Sequence, residues 1–235
     1  MTVKSSGPAA AEERKVATMA RSWLRAALPW LFCILSPTWG VARLAKPVDK
    51  QKRARAIRGL NCLYFSLAIA ITALAVILTR DSVAAIRPDG LDWRALLPQW
   101  LLMSRFWEVC VAFLVDAQDK LRPKRASSTL HWSERVMLAM RSYAELILDF
   151  GIVYSLLPRC AWVENLTTTP PDRITDMIWY SANVITTSGG GGFLPESPWA
   201  KMLSAAEVLC GVILLVVSFT VYVSRALGGK PTSLR

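Results

Sequence analysis

The stretch that decides the fold is Ile174-Thr175-Asp176-Met177-Ile178-Trp179-Tyr180-Ser181-Ala182-Asn183-Val184-Ile185-Thr186-Thr187-Ser188-Gly189-Gly190-Gly191-Gly192-Phe193-Leu194-Pro195. Its first part predicts a short amphiphilic helix over 174–186. Four consecutive glycines end that helix, because each frees the backbone for φ values of either sign. A long apolar helix is then predicted from about Trp199 to Val223. A helix, a glycine loop and a second helix, set beside membrane-length apolar blocks, predict a loop that enters the bilayer and returns.

Working outward, the chain has 235 residues, 53% of them hydrophobic. The apolar residues come in blocks of spanning length, so the expected class is an all-α membrane protein. Spans are predicted over 59–79, 96–115, 136–157 and 199–223; about 20 residues at 1.5 Å each cross one bilayer core. The expected organisation is a cytoplasmic or interfacial segment (1–58), two helices (59–117), a basic cytoplasmic loop (118–137), a unit with outer helix, short helix, glycine loop and inner helix (138–225), and a cytoplasmic tail (226–235). Residues 1–17 are polar and lack the apolar core of a secretory signal. Between Met19 and Lys46, Trp23, Trp30 and Trp39 interleave with Arg21, Arg25 and Arg43. That pattern suits a helix in the membrane interface or one packed on the protein's own cytoplasmic face.

The net charge of +11 would suggest nucleic acid in a soluble protein. Its distribution argues otherwise. With the N-terminus inside and four crossings, 20 Lys or Arg lie in cytoplasmic segments and six in outer loops. This bias predicts a multi-pass protein of the cell membrane with both termini cytoplasmic, and no nucleic-acid partner. The five cysteines, Cys33, Cys62, Cys110, Cys160 and Cys210, form no Cys-x-x-Cys pair and are expected to act as small hydrophobes. His131 stands alone in a basic loop. No nucleophile–base pair or metal-ligand set is visible, so neither an enzyme nor a cofactor nor a small-molecule substrate is expected. The few residues after Arg225 predict no ligand-binding domain behind the last span.

Arg105, Glu108, Glu145 and Asp149 fall inside predicted spans, where ionisable groups are costly and therefore paired. Counting residues from the span ends puts Arg105 and Asp149 at similar depth. An Arg105–Asp149 pair is predicted, with Glu108 and Glu145 meeting nearer the cytoplasm, as a clamp between helices.

The segment from Asp176 to Pro195 resembles the pore signature of potassium channels, which ends in T-x-T-T-V-G-Y-G-D with a proline three residues further on. The aromatic pair Trp179-Tyr180, Ser181, Thr186-Thr187, Gly189, Gly191 and Pro195 match without gaps. The register continues through Trp199, Lys201, Glu207 and Gly211, so the resemblance covers residues 138–225. It implies a tetrameric potassium-channel-like pore with four transmembrane helices, a re-entrant pore helix and a filter loop. It further implies K⁺ ligation by Thr187, Ser188, Gly189, Gly190 and Gly191, filter support from Trp179, Tyr180, Asn183, Thr186 and Gly192, and a gating hinge at Gly211. Glu207 is expected to brace the filter from behind. Backbone physics agrees, since non-helical backbone at membrane depth must be buried or line a wet cavity, and turned carbonyls can replace an ion's water shell.

Departures from the family pattern are concentrated in the filter. Ser188 replaces Val, Gly190 replaces Tyr, Gly192 replaces Asp, and Asn183 stands where Glu, Thr or Val is usual. Side chains that hold the filter open in the family are missing, which predicts weak discrimination of K⁺ from Na⁺. The expected function is a homotetrameric cation channel in the lipid bilayer, conducting K⁺ most readily. The alternative is a non-conducting subunit or scaffold that keeps the channel fold.

Overall fold

The computed structural model describes residues 49–87, 93–121, 130–164 and 170–219. The tryptophan- and arginine-bearing segment before Lys46 and the tail 226–235 lie outside them. Among the described residues the architecture is helical, with two isolated antiparallel bridges.

Helix α1, Lys50–Thr79, is capped by Asp49, whose carboxylate accepts the backbone N–H groups of Gln51 and Lys52. Those bonds, Lys52 first and then Gln51, hold the carboxyl below its usual range. The helix begins nine residues ahead of Gly59. In sequence this first stretch reads as a basic run, because Lys52, Arg53, Arg55 and Arg58 hide its helical period. Further along, Leu63, Leu67, Leu74, Ile77 and Leu78 are all exposed, while Asn61, Ala68 and Thr72 form a narrow buried face. An apolar helix with its aliphatic side outward fits lipid better than water. Arg80 and Asp81 then take left-handed φ values of 52° and 65° and turn the chain, followed by a 3₁₀ turn at Val83–Ala85.

Helix α2 is Trp93–Leu121 and α3 is Trp132–Ser155. Exposed His131 precedes α3, and its N–H donates to Glu134 at 2.9 Å. Helix α3 is the centre of the molecule, buried from Asp149 to Ser155 without a break. Asn61 of α1 donates to Ser142 of α3 at 2.8 Å, and Arg58 pairs with Glu134 at 2.5 Å. Arg135 of α3 binds Asp116 of α2.

Helix α4, Ile174–Ile185, leans on α3 so closely that a Cβ on Gly151 would sit 2.9 Å from the Ile178 Cα. Helix α5, Pro198–Gly211, starts with Ser197 accepting the Ala200 N–H at 3.1 Å and with Pro198 in its first turn. At Gly211 its winding changes, and Val212–Phe219 continues as a π-helix. Among the described residues, two stretches are long and apolar enough to cross a membrane, Gln51–Thr79 and Pro198–Leu215. One core joins α2, α3, α4 and α5, with Phe106, Phe150, Tyr154, Trp162 and Tyr180 among its largest members.

The ion pair at Arg105 differs from the expectation. Arg105 binds Glu145, at 2.6 Å through Nε and 3.2 Å through Nη2, and Glu108 at 2.9 Å. Its guanidinium also lies 4.2 Å from the centroid of the Tyr64 ring. Asp149, one turn further along α3, has no hydrogen-bond partner among the described residues. The depth count slipped because α2 and α3 begin at Trp93 and Trp132, three and four residues before the apolar stretches that marked their ends. Glu108, three residues from Arg105 on the same helix face, fixes the arginine at the Glu145 level.

Candidate functional site

The site grows from the C-terminal end of α4. Ser188 N–H donates to the Asn183 carbonyl at 2.8 Å and Thr187 N–H to the Val184 carbonyl at 2.9 Å. This pair of bonds is a Schellman ending, which calls for a left-handed residue at the position of Thr187. Thr187 has φ 60°. Glycine is the usual occupant there, and a β-branched side chain in that conformation is strained. The Thr186 hydroxyl donates to the Ala182 carbonyl at 2.6 Å and meets the Ser188 hydroxyl at 2.9 Å, and the Thr187 hydroxyl donates to the Thr186 carbonyl at 2.6 Å.

Beyond Ser188 the backbone depends on glycine. Gly189, Gly191 and Gly192 have φ of 109°, 57° and 95°. Gly190 is confined by space, since an added Cβ would lie 2.5 Å from the Phe193 carbonyl oxygen. Its own carbonyl accepts the Phe193 N–H at 2.9 Å, closing a turn over Gly190–Phe193. The five predicted ligand residues therefore divide in two. Thr187, Ser188 and Gly189 run away from the helix end with exposed side chains or backbone, whereas Gly190 and Gly191 belong to the turn.

Behind the loop stands a wall that only part of the motif foretold. Tyr180 is buried, with its ring edge-on to Tyr154 at 4.9 Å and to Trp162 at 5.1 Å. Its hydroxyl meets Ser204 of α5 at 2.9 Å. Trp179 instead is 61% exposed and runs along the loop, 3.1 Å from where a Gly191 Cβ would be. The two aromatics thus do different work: Tyr180 anchors α4 inward and Trp179 flanks the glycines. Asn183 turns its amide back to the Trp179 carbonyl at 2.7 Å.

Glu207 lies fully buried on α5, accepting the Tyr154 hydroxyl at 2.7 Å and the Ser181 hydroxyl. It ties α3, α4 and α5 together at one point, a brace behind the loop and not a group facing it. The outer end of the loop is held by backbone. Val163 N–H donates to the Leu194 carbonyl at 2.9 Å and Glu196 N–H to the Ala161 carbonyl at 2.8 Å, with Trp162 bridged to Pro195. These bonds supply an attachment where Gly192 brings no side chain. Gly211 packs at the inner end: a Cβ there would lie 2.5 Å from the Ile185 carbonyl oxygen.

Sequence reasoning missed three supports. Tyr154 and Trp162 carry no periodic signal that would point them at α4. Asp81 is 94 residues from Thr175, yet its carboxylate accepts the Thr175 N–H at 2.9 Å and the Thr175 hydroxyl at 2.6 Å, capping α4 from another part of the chain. Val83 N–H to the Asp172 carbonyl at 2.8 Å and Ile174 N–H to the Asp81 carbonyl at 3.1 Å complete the clasp.

No curated protein and no solved structure matches the chain. Residues 142–227 match the family model described as Ion channel. That stretch takes in most of α3, the capped helix α4, the glycine loop and α5, and the match supports an ion-channel pore-domain family, one of membrane transport proteins, for this part of the molecule.

Proposed function

We propose that four copies of the chain surround a cation pathway lined by the loop Thr187–Gly191, with K⁺ the preferred ion and weak discrimination against Na⁺. The observation that carries this reading is the left-handed backbone at Thr187, Gly189, Gly191 and Gly192, directly after a short half-buried helix and inside the stretch that matches an ion-channel family. A single loop cannot close a ring of carbonyls, so the homotetramer follows from the function. The exposed face of the loop and Trp179 would then meet neighbouring copies.

In this reading Thr187, Ser188 and Gly189 provide the inner ion ligands, and the turn at Gly190–Phe193 forms a short outer mouth. Fewer stacked carbonyl rings, without tyrosine or aspartate side chains to brace them, discriminate poorly between ions of like charge. The four long helices all cross the bilayer of the cell membrane, with both termini cytoplasmic, as the distribution of Lys and Arg favours. Gly211, where α5 passes into the π-helix, is the point about which the inner helix bends. The test is ⁸⁶Rb⁺ uptake into liposomes carrying the purified chain, beside Gly189→Asp, which puts a side chain into a left-handed loop position. Uptake by the wild type and none by the variant supports the pore. Equal, background uptake by both leaves the fold to a non-conducting subunit.

A further inference from the structure

Two of the scattered cysteines meet. Cys110 of α2 and Cys210 of α5 are 100 residues apart in sequence, both are buried, and their sulfurs lie 2.9 Å from each other. Cys210 immediately precedes Gly211, the residue at which α5 gives way to the π-helix and which touches the Ile185 carbonyl at the end of α4. Cys62 and Cys160 are exposed and free. The buried pair thus sits where the helix outside the matched stretch touches the inner helix, beside its change of winding.

We propose that Cys110 and Cys210 are a redox modification site, closed to a disulfide by a small uncharged peroxide, and that the bond fastens the inner helix to α2. The chemistry balances with hydrogen peroxide as oxidant. One sulfur attacks a peroxide oxygen, breaking the O–O bond and giving a sulfenic acid and one water. The second sulfur displaces the sulfenic oxygen, forming the S–S bond and releasing a second water. Two thiols lose two electrons, the peroxide gains them, and both thiol protons leave in water. Cys110 and Cys210 both belong to the buried apolar core. A charged oxidant such as oxidised glutathione cannot follow the peroxide there, so selectivity among oxidants comes from burial. Reduction needs a comparably small thiol or phosphine.

The cross-link is a property of the fold. Its effect on flux rests on the channel reading above, and the two are measured separately. The 235-residue chain with Cys33→Ala, Cys62→Ala and Cys160→Ala, which keeps only the pair, is placed in liposomes and treated with hydrogen peroxide or with oxidised glutathione. It is then denatured, alkylated and analysed by mass spectrometry. The expected result is a peptide cross-linked through Cys110 and Cys210 after peroxide, reversed by a phosphine, and two alkylated thiols after oxidised glutathione. Two alkylated thiols after both treatments overturn the proposed site, whether or not the chain conducts. In the same liposomes, ⁸⁶Rb⁺ uptake is expected to fall about tenfold on oxidation, because a cross-link removes most of a helix's two-state motion. Cys110→Ala and Cys210→Ala should each remove that response. A cross-link that forms and leaves a measurable flux unchanged overturns the regulatory role. No flux in any sample refutes the pore reading and leaves the cross-link result standing.

Discussion

Thr187 and Glu207 are the two residues at which chemistry and stability are most in tension. Thr187 holds a left-handed backbone that glycine would adopt without strain. Thr187→Gly is therefore expected to stabilise the fold by about 1 kcal/mol while lowering cation flux, read by thermal denaturation in detergent and by liposome uptake; a variant that is less stable would remove the strain argument. Glu207 receives two hydroxyl donors in a fully buried position. Glu207→Leu orphans the Ser181 hydroxyl and leaves the Tyr154 hydroxyl only its longer 3.4 Å contact to Ser204, and should cost about 2–4 kcal/mol, with Glu207→Gln losing less. Glu207 was legible as a brace because its register places it behind the loop. The partner of Arg105 was not. Residue counting resolves depth to about one turn, 5.4 Å, and Glu145 and Asp149 differ by one turn. Arg105→Leu leaves Glu145 and Glu108 unpaired in the core and should cost about 3–5 kcal/mol, largely recovered by adding Glu145→Leu. Recovery with Asp149→Leu instead would restore the original pairing.

At the scale of elements, α4 is set by neighbours as much as by its own sequence. Its N-terminus is capped by Asp81, its side by Gly151 and its C-terminus by Gly211. Asp81→Ala should destabilise the fold by about 1 kcal/mol, with faster hydrogen exchange confined to the first turn of α4; an unchanged exchange pattern would show that the cap contributes nothing. Gly211→Ala pushes a methyl group into the Ile185 carbonyl and should cost about 1–3 kcal/mol. The helices themselves were readable, because apolar length and the glycine punctuation are local signals. Asp81, Trp162 and the Cys110–Cys210 contact were not, since each depends on which distant segments the fold brings together. The π-helix after Gly211 has no sequence mark, as apolar side chains tolerate either winding.

Taken as a whole molecule, the first two helices are part of the same body as the pore-like stretch. α1 sends Asp81 to the top of α4 and pairs with α3 through Asn61 and Arg58, while α2 meets α5 through Cys110. The segment after α1 thus holds the start of α4, and α2 packs on α5 one residue before Gly211, where α5 meets the end of α4. The central claim is that the loop Thr187–Gly191 conducts cations. It is tested most directly by the reversal potential of the reconstituted protein in a planar bilayer between mixed solutions, K⁺-rich with some Na⁺ on one side and Na⁺-rich with some K⁺ on the other. A current that Gly189→Asp abolishes, reversing only modestly away from zero toward the K⁺ equilibrium potential, is the predicted result. The absence of any current sensitive to Gly189→Asp would contradict the pore, and a reversal at the K⁺ equilibrium potential would contradict the short, weakly selective filter.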